Sequence, residues 1–354
     1  MADQLVLNAR DDRDSRLGRP AEGEGTPPGL PQVAIVLPVY KDWPSLSRLL
    51  EDLDRVAAAA AIELTIIAVN DCPGPAESQV RGGPWLAIRQ IEILHLTRNL
   101  GHQRAIAVGL SHVEVSVRCE FVVVMDADGE DQPEDLINLL REFRNGPPAI
   151  VVAQRRKRSE GSVFRSSYRL YKTAFRLLTG RNVDFGNFCL IPRALLIHVV
   201  SMSEIWSNFP AGLIQSRLPI RRLPTARGTR YEGRSTMNFV SLVMHGLGAI
   251  SVFSDSVFIR VTLLSLGFLA ATCMAIAVVL ILKLTGHATP GWASNLAVSL
   301  SILAVQMLML SIVAAFMVLN NRTAVTVIPR LTYRNFIMRR ELVAIQSAKA
   351  RAIA

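Results

Sequence analysis

Asp126-Ala127-Asp128 sets two carboxylates two residues apart, directly after the apolar run Phe121–Met125. In an extended segment, residues two apart point to the same side, so both carboxylates can face one cation. Oxygen donors select hard ions, here Mg2+ or Mn2+. Such an ion bridges diphosphate oxygens and neutralises the charge that develops on a nucleotide leaving group. Taken alone, an Asp-x-Asp triplet reads as well as a solvated turn. Its place in a series of strand ends is what gives it the chemical reading.

That series runs from Gln32 to about Ala153. Short continuous apolar runs at Val33–Leu37, Leu64–Val69, Ile91–Leu96, Phe121–Met125 and Ile150–Ala153 have the pattern of parallel strands covered on both faces. Helical patterns intervene at Ser45–Ala60, His102–Val113 and Glu134–Phe143, with Pro133 in the first turn of the last and Asp131 as its cap. The fold class is therefore α/β, a doubly wound sheet, in which ligands bind beyond the carboxyl ends of the strands. The residues there are Pro38-Val39-Tyr40-Lys41-Asp42, Asn70-Asp71, Arg98-Asn99 with Gly101-His102, Asp126-Ala127-Asp128, and Arg155-Arg156-Lys157-Arg158. No Gly-x-Gly-x-x-Gly follows the first strand, which excludes an ordinary dinucleotide fold. Carboxylates and arginines on one edge suit a metal-bound nucleotide diphosphate. His102, at a helix start, and His245, in an apolar stretch, are expected to be structural.

The chain has 354 residues, half of them apolar, and carries 39 Lys+Arg against 29 Asp+Glu, a formal charge of +10. Two charge-free runs, Val261–Leu282 and Leu296–Leu319, are each long enough to cross the roughly 30 Å hydrocarbon core as a helix. Between them stand Gly286, Pro290 and Gly291, the mark of a hairpin loop. The loop has no Lys or Arg from Thr285 to Asn295, whereas the segment after the second run has seven basic residues against the single acid Glu341. Basic residues stay on the cytoplasmic side, so the large N-terminal region and the tail are expected there, at an inner or plasma membrane. The tail is expected to lie beside anionic headgroups. Packing between hairpins gives two copies a route to self-association. Residues 1–31 read as a disordered tail without a secretion signal, and the four scattered cysteines show neither metal spacing nor a disulfide framework. Residues 236–258 are apolar but interrupted by Asn238, Ser241, His245, Ser254 and Asp255, as in a helix lying in the membrane interface. With the charge assigned to lipid and diphosphate partners, nucleic acid is excluded as a partner.

Pro38-Val39-Tyr40, Val69-Asn70-Asp71, Arg98-Asn99-Leu100-Gly101, Met125-Asp126-Ala127-Asp128 and Asp131-x-Pro133-Glu134 stand in the order found in inverting family 2 glycosyltransferases of the GT-A fold. More narrowly, the chain over about Gln32–Val257 resembles the polyprenyl-phosphate glycosyltransferases, the group containing dolichol-phosphate mannose synthase and bacterial undecaprenyl-phosphate sugar transferases. The resemblance implies a catalytic domain over 32–235; the residue patterns above add an interfacial helix region over 236–258, transmembrane helices over 259–284 and 294–320, and a basic cytoplasmic tail over 321–354, and the two spans agree with the bacterial members. It implies that Pro38, Tyr40, Asp42, Asp71 and Asp126 contact the nucleotide, and that Asp126 and Asp128 hold the metal. Lys41 replaces the family's common Asn, and Gly129-Glu130 replaces a common Leu-Gln. Asp184-Phe-Gly-Asn187-Phe188 matches a segment that usually reads Asp-x-Gly-Asp-Phe-Arg. Arg230-x-x-Gly233-x-Ser235 matches an acceptor-side loop whose lysine is Thr236 here, with Arg227 or Arg234 nearby to compensate.

The implied reaction moves a sugar from a nucleotide diphosphate sugar to a polyprenyl phosphate. A lipid phosphate is already anionic near neutral pH, its second pKa being about 6, so a strong base is less needed than cations that hold it. Arg155, Arg158, Arg169 and Arg230, with Ser235, are the acceptor-side candidates, since the guanidinium fork suits phosphate. The run from Arg155 to Arg158 also reads as a solvated loop or a contact with anionic lipid. Asp184 is the candidate carboxylate beside the acceptor, as base or orienter, or else a solvated turn acid or structural cap. Two further readings stay open: a transferase extending a lipid-linked sugar, and a non-catalytic membrane adaptor that keeps the fold. Processive polysaccharide synthesis is disfavoured, since no Gln-x-x-Arg-Trp occurs.

Overall fold

The computed structural model describes residues 30–72, 80–155, 172–232, 239–287, 291–323 and 327–345. The first part of the chain runs β1 (Gln32–Val39), α1 (Trp43–Ala59), β2 (Glu63–Asn70), β3 (Ile88–Leu96), α2 (His102–Ser116), β4 (Phe121–Val124), α3 (Glu134–Arg144) and β5 (Ile150–Arg155). A helix α4 over 172–179 follows, then β6 (Cys189–Pro192), α5 (Arg193–Val200), α6 (Phe209–Gln215) and β7 (Ile220–Thr225). After α7 (Phe239–Ser251) come two long helices, α8 (Ser254–Leu284) and α9 (Trp292–Thr323), then α10 (Pro329–Thr332) and a last strand, β8 (Ile337–Ile345).

All eight strands form one sheet in the order β7-β5-β6-β4-β1-β2-β3-β8. β4, β1, β2 and β3 are parallel, whereas β6 runs antiparallel to both β4 and β5, and β8 antiparallel to β3. The sheet is thus mixed, with three strands that the apolar runs did not announce. Side-chain alternation splits the core in two. Val33, Ile35 and Leu37 of β1 pack with Leu46, Leu49, Leu50 and Leu53 of α1 and with Leu136 and Leu139 of α3. Ala34 and Val36 face α2, α5 and α6 through Ile106, Leu110, Leu196 and Phe209. Gly109 lets α2 lie close on the sheet, because a Cβ there would stand 2.5 Å from Val36 Cγ1.

β1 and β4 are in register only over Val33–Val36 and Phe121–Val124. Beyond that they separate, which is why Pro38, without an N–H to offer, is accommodated late in a central strand. β2 and β3 lie to one side of β1 and β4 to the other, so the chain order reverses between β1 and β4. This is the crevice where open α/β sheets take ligands.

α8 and α9 have 31 and 32 residues, so each is about 46–48 Å long at 1.5 Å per residue. They pack against each other, and most of their apolar side chains remain exposed, among them Leu263, Phe268, Met274, Ile302 and Phe316. By length and composition both can cross a membrane. Each is longer than the span expected from charge-free residues alone. α8 begins against the α/β domain, where Arg260 Nη1 donates to Leu177 O at 2.6 Å and Phe253 stacks edge-on against Phe175.

The segment after α9, expected to be a basic tail beside lipid, is corrected here: its described part folds back onto the sheet as β8. Its arginines pair with protein carboxylates, Arg340 Nε with Glu92 at 2.6 Å and Arg330 Nε with Glu114 at 2.9 Å. Each acid lies far away in sequence, so no local pattern announced the pairing. Residues 1–29 and 346–354 lie outside the described residues.

Candidate active site

At the carboxyl end of β2, Asp71 is 4% exposed. Its oxygens accept from the backbone N–H of Leu100 at 2.6 Å and of Gly101 at 2.8 Å. Burial pushes its pKa up, against the pull of those two N–H groups and of His102. Tyr40, at the end of β1, is exposed, with the Lys41 ammonium 5.3 Å from its ring centroid. Lys41 has φ +58°, a left-handed conformation that Asn adopts more readily than Lys. That accounts for the Asn usually found at this position in the resembling family. Asp42 occupies the N-cap position of α1, makes no side-chain cap there, and is partly exposed at the same edge.

Asp126 and Asp128 follow β4 across the crevice. The Asp126 N–H donates to Asp131 Oδ2 at 3.0 Å, so Asp131 fixes the turn. Asp126 Oδ1 lies 3.2 Å from His102 Nε2. Asp128 Oδ1 accepts from the Glu130 N–H at 2.9 Å, and Oδ2 accepts from Arg230 Nη2 at 2.5 Å. Burial raises the pKa of Asp128, and the neighbouring Asp126 and Glu130 add to it against the Glu130 N–H and Arg230. Like charges are therefore crowded at this edge.

His102, expected to be structural, stands beside the Asp126–Asp128 turn. Partial desolvation opposes its charged form, but the nearby carboxylates of Asp126, Asp128 and Asp131 outweigh it and raise its pKa. The same Nε2 lies 2.8 Å from Asn187 Nδ2. Asn187 Oδ1 accepts from Gln103 Nε2 at 3.1 Å, and Gln103 Oε1 accepts from the Phe209 N–H. Nε2 thus stands between the Asn187 amide and the Asp126 carboxylate. The sequence signal was present, since His102 follows the third strand end, but its partners after β4 and before β6 are set by tertiary packing.

The loop 226–232 lies over the Asp126–Asp131 turn. Gly228 N–H donates to Glu130 O at 2.8 Å and Tyr231 N–H to Asp128 O at 3.0 Å. Tyr231 OH donates to Asp52 Oδ2 at 2.7 Å, and Arg48 stacks on its ring. Gly129, with φ +84°, has no room for a side chain, because a Cβ would stand 2.5 Å from the Tyr231 ring. The Leu-Gln of the resembling family is therefore replaced by a glycine under an aromatic lid and by Glu130, which pairs with Arg227 and Arg230.

Asp184 lies toward β5 and β7. Its Oδ2 accepts from Gln154 Nε2 at 2.8 Å and its Oδ1 from Arg222 Nε at 3.2 Å, so it is neither a free turn acid nor a cap. Arg158, Arg169 and Ser235 lie outside the described residues. Arg155 ends β5, and its side chain lies outside them as well. Among the described residues, no three His, Cys, Asp or Glu side chains converge as a self-sufficient metal site. Two crowded hard-oxygen carboxylates nevertheless suit Mg2+ or Mn2+ when substrate phosphates complete the shell, the usual manner for Mg2+.

Residues 34–206 match the family model described as glycosyl transferase family 2. An uncharacterized glycosyltransferase of Synechocystis sp. is 25% identical over 296 residues, covering 81% of this chain and 90% of that protein. The undecaprenyl-phosphate 4-deoxy-4-formamido-L-arabinose transferase of Klebsiella pneumoniae is 28% identical over 180 residues, or 49% of this chain and 52% of its own. Among solved structures, glucosyl-3-phosphoglycerate synthase from Mycobacterium tuberculosis, in complex with Mn2+, UDP-glucose and phosphoglyceric acid, is 13% identical. It covers 64% of this chain and 79% of its own at a TM-score of 0.45. The mixed sheet is GT-A-like, with two long apolar helices behind it. Residues 34–206 of this chain are a glycosyl transferase family 2 domain.

Proposed function

We propose that the chain is a membrane-bound inverting glycosyltransferase that moves a sugar from a nucleotide diphosphate sugar to a polyprenyl phosphate. The observation that carries the reading is the carboxylate edge itself: Asp126 and Asp128 on one side of the crevice, Tyr40 and Asp71 on the other, within a family 2 domain joined to two apolar helices. The name of the Klebsiella relative gives an undecaprenyl phosphate acceptor in that protein, and the exposed apolar helices provide for a lipid of that kind here.

In this reading Tyr40, Asp42 and Asp71, with Pro38 shaping the strand end, seat the nucleoside, and Asp126 contacts the nucleotide as well as the metal. Asp126 and Asp128 hold Mg2+ or Mn2+, which when bound supplies Lewis-acid stabilisation of the departing diphosphate. A phosphate oxygen of the acceptor attacks the anomeric carbon, the bond to the diphosphate breaks, and its electron pair leaves on the nucleoside diphosphate. The acceptor is already an anion, so no proton has to be removed. Asp184, tied to Gln154 and Arg222, serves to orient. Arg230 leaves Asp128 to meet the acceptor phosphate, joined by Arg155, Arg158, Arg169 and Ser235. Much of the acceleration then comes from positioning and charge stabilisation. α8 and α9 cross a plasma or inner membrane, with the domain and β8 on the cytoplasmic side, and α7 lies at the interface.

The test is a panel of nucleotide sugars given to the purified full chain with undecaprenyl phosphate and Mg2+ or Mn2+. The expected product is a lipid monophosphosugar. A product in which sugar is added only to a lipid-linked sugar favours chain extension, and no turnover with any donor favours an adaptor.

A further inference from the structure

We infer that Glu341, on the strand that follows the two long helices, is a positioning residue for the nucleotide site, acting on Asp71 through His95 and Asn70. The inference rests on the reading of Asp71 as a nucleotide contact.

One row of the sheet carries it. Asn70 of β2 stands opposite His95 of β3, and His95 stands opposite Arg339 of β8. Asn70 is fully buried and His95 is 1% exposed, and buried polar groups of this kind need their hydrogen bonds made within the protein. The Cys72 N–H donates to Asn70 Oδ1 at 3.1 Å, which fixes the orientation of the amide. Asn70 Nδ2 therefore faces His95 Nδ1, 3.1 Å away, and Nδ1 must accept. The ring proton then sits on Nε2, which donates to Glu341 Oε2 at 2.9 Å. Arg339 Nη2 donates to the same oxygen at 3.0 Å.

An unbroken chain of hydrogen bonds thus runs from the sheet edge to the backbone on both sides of Asp71. The Asn70 side chain closes around Asp71 and sets the direction in which its carboxylate meets the N–H groups of Leu100 and Gly101. Glu341 enters this chain from 246 residues beyond His95, so the nucleotide site is complete only after both long helices have been made and the strand has returned. Arg340, the adjacent residue on the same strand, makes an ion pair with Glu92 and, among the described residues, makes no hydrogen bond to Asn70. It separates attachment of the strand from positioning of the site.

The experiment measures binding of uridine diphosphate and of guanosine diphosphate, each with Mn2+, to the purified full chain by calorimetry, beside its thermal midpoint. E341A should raise the Kd of whichever diphosphate binds by about three- to tenfold, the effect of one lost buried hydrogen bond. E341Q should stay within about twofold of the unaltered chain, since its amide oxygen accepts the same bond. R340A should lower the midpoint and leave Kd within about twofold. Should E341A fail to fold, E341D keeps the charge while withdrawing the acceptor from His95, and the same loss is required of it. The inference is overturned if E341A binds as the unaltered chain does, or if R340A weakens binding as much as E341A. If the unaltered chain binds neither diphosphate, the nucleotide reading of Asp71 falls, and this inference with it.

Discussion

Asp128 has three carboxylate or cationic neighbours within one turn and one loop: Asp126, Glu130 and Arg230. The Arg230 guanidinium pairs with Asp128 and reaches Glu130, so it offsets part of the negative charge crowded at this edge. Replacing Asp128 by Asn keeps an acceptor for the Glu130 N–H but removes the charge a divalent ion needs. D128N should lower kcat/KM for metal-dependent transfer by about a hundredfold or more, with little change in thermal midpoint. Gly129 makes a sharper structural demand. G129A puts a methyl into the Tyr231 ring at a positive φ and should cost about 1–3 kcal/mol, read as a lower midpoint, together with impaired transfer because the loop bearing Arg230 is displaced. At this scale the carboxylates were legible, because strand ends in a doubly wound sheet collect on one edge. The contacts of His102 with Asp126 and Asn187 were not, since they join three elements that no sequence spacing relates.

Strands β1 to β5 and helices α1 to α3 were legible because both faces of a parallel strand must be apolar and helix faces repeat. β6 is four residues long, β7 reads Ile-Arg-Arg-Leu-Pro-Thr, and β8 is interrupted by Arg339, Arg340 and Glu341, so none carries the same signature. β8 owes its place to charge pairing at an edge. Glu92 is nearly buried, and although burial alone would raise its pKa, bonds from His112 and Arg340 bring it down from 4.5 to about 2. A carboxylate whose folded pKa lies below its unfolded one stabilises fully above the unfolded value and loses that contribution as pH falls through the folded one. Attachment of β8 should therefore be intact at pH 6 and weaken between about pH 4.5 and 2. Native-state amide exchange in residues 337–345 should report it, and E92Q should remove most of that pH dependence.

Across the whole molecule, α8 and α9 form an excursion between two parts of one sheet. The apolar runs made the excursion legible. The return of the chain was not, because Arg339 and Arg340 look like a lipid-facing tail until Glu92 and Glu341 are placed beside them. A chain ended after Thr323 keeps both long helices but uncovers the β3 edge, including Ile91 and Ile93. It should have a lower thermal midpoint than the full chain and a greater tendency to associate through that edge, as light scattering would detect. The central claim, inverting transfer onto a phosphate oxygen at the Asp126–Asp128 edge, is most directly tested by nuclear magnetic resonance of the product made from a donor labelled with carbon-13 at its anomeric carbon. An α-linked donor should yield a β-linked sugar whose anomeric carbon couples to one phosphorus. Retained configuration, or an anomeric carbon coupled to no phosphorus, would contradict it.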